Sequence, residues 1–161
     1  MMKALFTILF LYSANCLSAQ NIPSIRITEL TDLVQKPSDS IWVINFWATY
    51  CAPCVKEIPH LEEVVARYRH RKVGLLLVSL DFPEAYPKTL KRFVEKKKIG
   101  SAIAWLDETD ADYFCTAIDK TWGGSIPATW IVNTSTGYRR FHEDSFTAAE
   151  FEAALLQALE R

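Results

Sequence analysis

Apolar residues fall along this chain in two rhythms. Two stretches, Ile41-Trp42-Val43-Ile44-Asn45-Phe46-Trp47 and Val73-Gly74-Leu75-Leu76-Leu77-Val78-Ser79-Leu80, are apolar at nearly every position. That is the pattern of strands buried on both faces. Between them Cys54, Val55, Ile58, Leu61, Val64, Val65 and Tyr68 recur at helical spacing, with Glu57, Glu62, Glu63, Arg67 and Arg69 on the remaining face. Strand, helix and strand within about forty residues predict a right-handed βαβ unit with parallel strands.

The rhythm then alternates again. A second amphipathic helix is expected from Glu84 to Lys98, burying Leu90, Phe93 and Val94 and ending in the solvated run Lys96-Lys97-Lys98, where cations suit the helix dipole. A short strand, Ile103 to Leu106, and a helix from Thr109 to Ile118 follow. Ala128 to Val132 and Tyr138 to His142 read as a hairpin, because Asn133-Thr134-Ser135-Thr136-Gly137 between them has the composition of a tight connection. The last helix is signalled most fully. Thr147 and Glu150 fit a capping box, Phe146 and Phe151 a hydrophobic staple, and Phe151, Ala154, Leu155, Ala158 and Leu159 a buried stripe. A parallel βαβ unit, then an antiparallel hairpin and a closing helix make an α/β domain, a mixed β-sheet with helices on both faces. No repeat and no Pro/Gly/Ser-rich linker divides it.

The opening residues follow neither rhythm. Lys3 precedes the apolar run Ala4 to Tyr12, and the small and polar stretch Ser13-Ala14-Asn15-Cys16-Leu17-Ser18-Ala19 comes next. The run is roughly half of the ~20 residues that cross a bilayer, so the expectation is a secretory signal peptide and not a spanning helix. Cleavage after Ala19 leaves a domain over residues 20–161. A second reading makes Cys16 the lipid-modified cysteine of a membrane-tethered lipoprotein, although Asn15 before it fits that pattern poorly. The expected location is the periplasm or cell envelope. A formal net charge of -1 supplies no chain-wide field to attract nucleic acid.

Without residues 1–19 the cysteines are Cys51, Cys54 and Cys115, too few and too oddly numbered for a structural disulfide framework. A close pair plus a single cysteine points to chemistry. Cys51-Ala52-Pro53-Cys54 can close a small ring, and a helix start at Cys51 stabilises its thiolate. That thiolate would attack a substrate disulfide, and Cys54, one turn on, would resolve the mixed disulfide. Structural zinc needs about four ligands, and no second cysteine pair follows, so no metal is expected. His60, His70 and His142 have no spacing that suggests a hydrolase or a metal triad. Cys115, among Tyr113, Phe114 and Ile118, is expected to be a small buried hydrophobe, the alternative being a third redox thiol.

Two segments carry a family resemblance. Asn45-Phe46-Trp47-Ala48-Thr49-Tyr50-Cys51-Ala52-Pro53-Cys54-Val55-Lys56-Glu57-Ile58-Pro59 resembles the active-site segment of the TlpA/ResA group of extracytoplasmic thioredoxin-like proteins. Gly124-Ser125-Ile126-Pro127-Ala128-Thr129-Trp130-Ile131-Val132-Asn133 resembles the same group's cis-proline loop and following strand. The resemblance implies a thioredoxin-like fold, Cys51 as nucleophile and Cys54 as resolving thiol. It further implies a cis bond before Pro127, facing the cysteines, and an Ile126 backbone that pairs with substrate. Ala52 and Pro53 join them as candidate substrate contacts, as does Trp47, four residues before Cys51; Trp122 is a weaker candidate, and core packing is the alternative for both tryptophans. Pro59 matches a helix-kinking proline.

Cytoplasmic thioredoxins carry a buried aspartate where this chain has Asn45, and an amide cannot take a proton from Cys54. Glu57, the nearest carboxylate in sequence, is the candidate for proton transfer, the alternative being an exposed helix residue. No cofactor beyond the Cys51-Cys54 disulfide is implied. The implied partners are disulfide-containing extracytoplasmic proteins and a membrane or protein electron donor, with cytochrome c maturation as one pathway. The alternative is a non-catalytic module binding copper or a partner protein, for which His142 is a poor ligand.

Overall fold

The computed structural model describes residues 21–161, so the expected signal peptide and Cys16 lie outside the described residues. Six strands form one sheet in the order β1-β4-β3-β2-β5-β6. The central pair is the predicted one. β2 (Ile41–Trp47) and β3 (Val73–Ser79) run parallel in register from Ile41↔Val73 to Trp47↔Ser79. They are joined by α2 (Ala52–Arg67). β4 (Ala102–Leu106) adds parallel to β3, while β5 (Ala128–Asn133) pairs antiparallel with β2 and forms the hairpin with β6 (Tyr138–His142).

Alternation along the strands divides the interior in two. Val43 and Trp47 of β2 point into a core with Ile58 and Leu61 of α2, Leu90 and Val94 of α3 (Lys88–Lys97), and Phe151 and Leu155 of α5 (Ala148–Glu160). Ile44 and Phe46 point the other way, to α1 (Ile27–Gln35) and α4 (Ala111–Ile118), through Leu30, Val34, Phe114 and Ile118. The mixed sheet with helices on both faces is therefore present. Thr147 caps α5 as expected, its Oγ1 accepting from Glu150 N–H and the Glu150 carboxylate accepting from Thr147 N–H at 2.9 Å.

Three local features differ from expectation. β1 (Ser24–Ile25) and α1 add an edge strand and a helix that the chain's rhythm did not announce. α1 starts behind Arg26 with none of the usual small polar caps; instead the Arg26 N–H donates to Glu29 Oε2 at 2.8 Å. The helix expected from Glu84 begins at Lys88, after a single 3-10 turn at Pro83–Ala85 and a cis Tyr86-Pro87 bond. A residue before proline is pushed out of the α region, which explains why the helix cannot begin earlier.

Candidate active site

The site is built where β2 ends and α2 begins, at the carboxyl end of the parallel strands, where open α/β sheets bind their ligands. Cys51 is the N-cap of α2, and Cys54 lies one turn in. The two are joined as a disulfide. Cys54 N–H donates to Cys51 Sγ at 3.3 Å, so the helix start already aims a backbone donor at the first sulfur. Cys51 keeps 8% of its surface exposed and Cys54 none, which makes Cys51 the sulfur an incoming disulfide can reach. Ala52 and Pro53 are exposed between them.

The Ile126-Pro127 bond is cis and faces the pair; the Ile126 carbonyl oxygen is 3.7 Å from Cys51 Sγ. Ile126 is half-buried and Pro127 buried. The loop is held from the far side. Glu143, after β6, accepts N–H bonds from Gly123 and Ser125, both 2.9 Å, and these two donors hold its carboxyl below the usual carboxylate range. Gly124 between them has φ +91°, a left-handed conformation that a side chain would strain. Trp122 is core after all, closing on Phe46, Phe114 and Phe141, with its indole N–H bonded to the Ser125 carbonyl.

Trp47 does not meet the expectation of a substrate contact. It is fully buried, its ring 6.0 Å from Phe93, because β2 points it into the core with α2 and α3. Glu57 departs from the pattern in the other direction. The helical rhythm put it on the exposed face, but only 3% of it is exposed. Its position three residues after Cys54 and four before Leu61 puts it on the side of α2 that meets the sheet. Glu57 Oε1 accepts from Asn45 Nδ2 at 2.8 Å and Oε2 from the Phe146 N–H at 2.8 Å, and Asn45 Nδ2 also donates to Thr129 Oγ1 at 3.0 Å. Burial pushes the Glu57 pKa up; the Phe146 and Asn45 hydrogen bonds oppose that, and the Asp144 charge adds to it. Glu57 also lines a cleft of about 340 Å³ with Pro53, Lys56, His60 and Phe146, so the buried carboxyl has a route to solvent.

A second support was not foreseen. Asp81, just past β3, accepts from Thr49 N–H, Thr49 Oγ1 and Ser79 Oγ, and its carbonyl accepts from Trp105 Nε1 at 2.8 Å. These bonds pin the Ala48 to Tyr50 turn that delivers Cys51. Beyond Asp81, Phe82 stacks on Tyr50 at the mouth of a cleft of about 370 Å³. The signal was available in the chain: Asp81-Phe82-Pro83 immediately follows the end of a parallel strand. Cys115 is buried, and its thiol is pushed up to about 11 by burial first, then by Glu143 and Asp112. Among the described residues no three His, Cys, Asp or Glu side chains gather where a metal ion could be held.

A cysteine pair at a helix start, facing a cis-proline on a mixed six-stranded sheet, defines a thioredoxin-like α/β protein. More narrowly, the chain belongs to the AhpC/TSA family, whose model matches residues 8–136. Among curated relatives, the thiol-disulfide oxidoreductase ResA of Halalkalibacterium halodurans is 29% identical over 104 residues, 65% of this chain and 54% of that protein. ResA of Oceanobacillus iheyensis is 43% identical over 42 residues, 26% of this chain and 22% of that protein. The match thus spans about half the length of the first relative and less of the second. Among solved structures, a thiol:disulfide interchange protein of the thioredoxin family from Chlorobium tepidum superposes with TM-score 0.61 at 17% identity, covering 80% of this chain and 84% of that one. A thioredoxin-related protein from Neisseria meningitidis serogroup B gives 0.60 at 22% identity, covering 78% and 87%. Both likenesses are of fold.

Proposed function

We propose that this chain is an extracytoplasmic thiol-disulfide oxidoreductase that reduces disulfides in other proteins. The observation that carries the reading is the Cys51-Cys54 pair at the start of α2, with Cys51 Sγ 3.7 Å from the carbonyl of the cis-proline loop. In the reduced protein the Cys51 thiolate attacks one sulfur of a substrate disulfide. An S–S bond forms to Cys51, and the other substrate sulfur leaves as a thiolate. Cys54 then gives up its proton and attacks Cys51 Sγ, which frees the second substrate thiolate and closes the Cys51-Cys54 disulfide. Two electrons have passed to the substrate, and a dithiol reductant, on a membrane or a protein donor, must return them. No other cofactor is needed.

Ile126 would pair with the substrate backbone, and Ala52 and Pro53 would border it. Glu57 is the group we assign to the Cys54 proton. It follows Cys54 by three residues on the same helix face, its raised pKa suits exchange nearer neutrality, and its cleft leads the proton outward. Export rests on the Lys3 and Ala4–Tyr12 pattern. The resemblance of the active-site segment to the TlpA/ResA group makes cytochrome c maturation the pathway to test first, by c-type cytochrome content in a deletion strain.

The deciding experiment is the reduction potential of the pair in thiol buffers, with Cys54→Ser used to trap the mixed disulfide on Cys51. A potential near or below the ~-270 mV of thioredoxin, with a trapped Cys51 adduct, is expected; a value near ~-120 mV would reverse the direction of electron flow. No adduct and no exchange with any disulfide would end the reading.

A further inference from the structure

Beside the dithiol is a feature that the exchange chemistry does not use. Tyr50 and Phe82 are 59% and 65% exposed, the two most exposed large apolar side chains among the described residues. They stack on each other, centroids 5.5 Å apart and planes within 17°. Water-exposed aromatics held together at the rim of a cavity are what an interaction site presents and what a lone monomer surface avoids. The cavity they rim holds about 370 Å³, with Trp105 and Phe114 in its lining. That is near the lower end of the ~300–1,000 Å³ of ligand clefts, room for one large side chain with its neighbour.

The cleft adjoins the Cys51-Cys54 pair. Ile126 lines it, and Tyr50 directly precedes Cys51. Its shape is fixed from below: the Trp105 indole N–H is tied to the Asp81 carbonyl and stacks on Tyr86 at 4.3 Å, so the wall does not collapse when empty. Three carboxylates line the cleft, and one of them, Asp81, is held by Thr49 and Ser79. Asp107 and Glu108 form another wall, and among the described residues the cation paired with them is Arg26, 3.6 Å from Asp107 and 3.5 Å from Glu108. Two carboxylates against one guanidinium leave that wall net negative.

We propose that this cleft is a specificity pocket for an aromatic side chain of the substrate polypeptide, within two residues of the attacked cysteine, with a basic residue favoured beside it. The proposal rests on the oxidoreductase reading above. An extended segment pairing with the Ile126 backbone advances ~3.3 Å per residue, which brings a side chain near the attacked sulfur over the Tyr50–Phe82 rim. The ring meets Phe82 and Phe114, and the cation of its neighbour meets Asp107 and Glu108.

The test uses short peptides carrying one cysteine as a mixed disulfide with glutathione, differing in the adjacent residues (Phe-Lys, Phe-Asp, Ser-Lys and Ser-Asp), with oxidised glutathione as the aromatic-free reference. For the reduced protein, kcat/KM is expected to be at least tenfold higher for Phe-Lys than for Ser-Lys, and higher for Phe-Lys than for Phe-Asp by a margin that shrinks with salt. In Phe82→Ser the Phe-to-Ser ratio should fall toward one. Phe82 is mostly solvent-exposed, and a melting curve checks that the variant folds. Equal rates for Phe and Ser peptides in the unsubstituted protein, with oxidised glutathione still reduced, would overturn the pocket and leave the oxidoreductase standing. A preference that survives Phe82→Ser would overturn the assignment to this cleft. Failure to reduce any disulfide, oxidised glutathione included, would overturn both.

Discussion

Glu57 is a carboxylate with two backbone-and-amide donors and almost no water, and its energetics follow from that. Burial raises its folded pKa above the ordinary value of 4.5, so the fold holds the Glu57 proton more tightly than the unfolded chain does. By linkage this group's contribution is most favourable below that ordinary value, and it declines as pH rises through the raised folded pKa. Glu57→Gln cannot ionise, so urea unfolding between pH 4 and 8 should show a smaller decline on the alkaline side than the parent protein. Identical pH profiles would remove the buried charge from the account. The glutamine amide also turns one acceptor into a donor, and Asn45 Oδ1, which has no hydrogen-bond partner, can receive it once the Asn45 amide turns over. At this scale the chain declares Cys51 and Cys54 openly, because thiol chemistry belongs to their residue type, whereas the cis bond before Pro127 follows only from the family resemblance. Glu57 and Trp47 are harder to place: the polar face of α2 and the nearness of Cys51 suggest exposure, whereas helix phase sets Glu57 against the sheet and strand phase sends Trp47 into the core.

Among the elements, the strands and helices with strong periodicity or strong caps were legible: β2, β3, α2, the hairpin and α5. Those that tertiary contacts make were not. β1 has two residues, and Trp105 and Asp107 N–H bonds to the Pro23 and Ile25 carbonyls hold it at the edge of β4. α1 buries Ile27, Leu30 and Val34 but lacks a small polar cap, so neither its start nor its place in the sheet order could be read. The cis-proline loop shows how an element far along the chain reaches the site. Glu143 after β6 grips two of its N–H groups through charge-assisted bonds that solvent partly screens. Glu143→Ala should therefore loosen Ile126 against an incoming chain. A several-fold loss in kcat/KM toward a polypeptide disulfide is expected, with the reduction potential of the Cys51-Cys54 pair unchanged. A shifted potential with unchanged kcat/KM would assign Glu143 a different role. Glu143→Gln retains a carbonyl acceptor and should fall between.

Over the whole molecule, two apolar cores share one sheet, and β2 contributes to both. Tryptophans report on each side: Trp47 and Trp105 belong to one core, Trp122 and Trp130 to the other. If the sheet couples the cores, denaturant curves followed by tryptophan fluorescence and by far-ultraviolet circular dichroism should coincide, as for small cooperative domains. Separate midpoints would mean that the cores melt independently. The buried thiol of Cys115 has a consequence of its own. Packed among Trp122, Phe114 and Ile118, it meets an alkylating reagent only when the α4 side of the sheet opens. With the Cys51-Cys54 pair oxidised, and Cys16 told apart by peptide mapping, the rate of modification at Cys115 becomes a clock for that opening under native conditions. Reading the clock with the pair oxidised and then, after blocking the pair, reduced would weigh how far closing the Cys51-Cys54 ring steadies the α4 side of the sheet, where the Cys115 thiol lies beside Gly124 of the cis-proline loop.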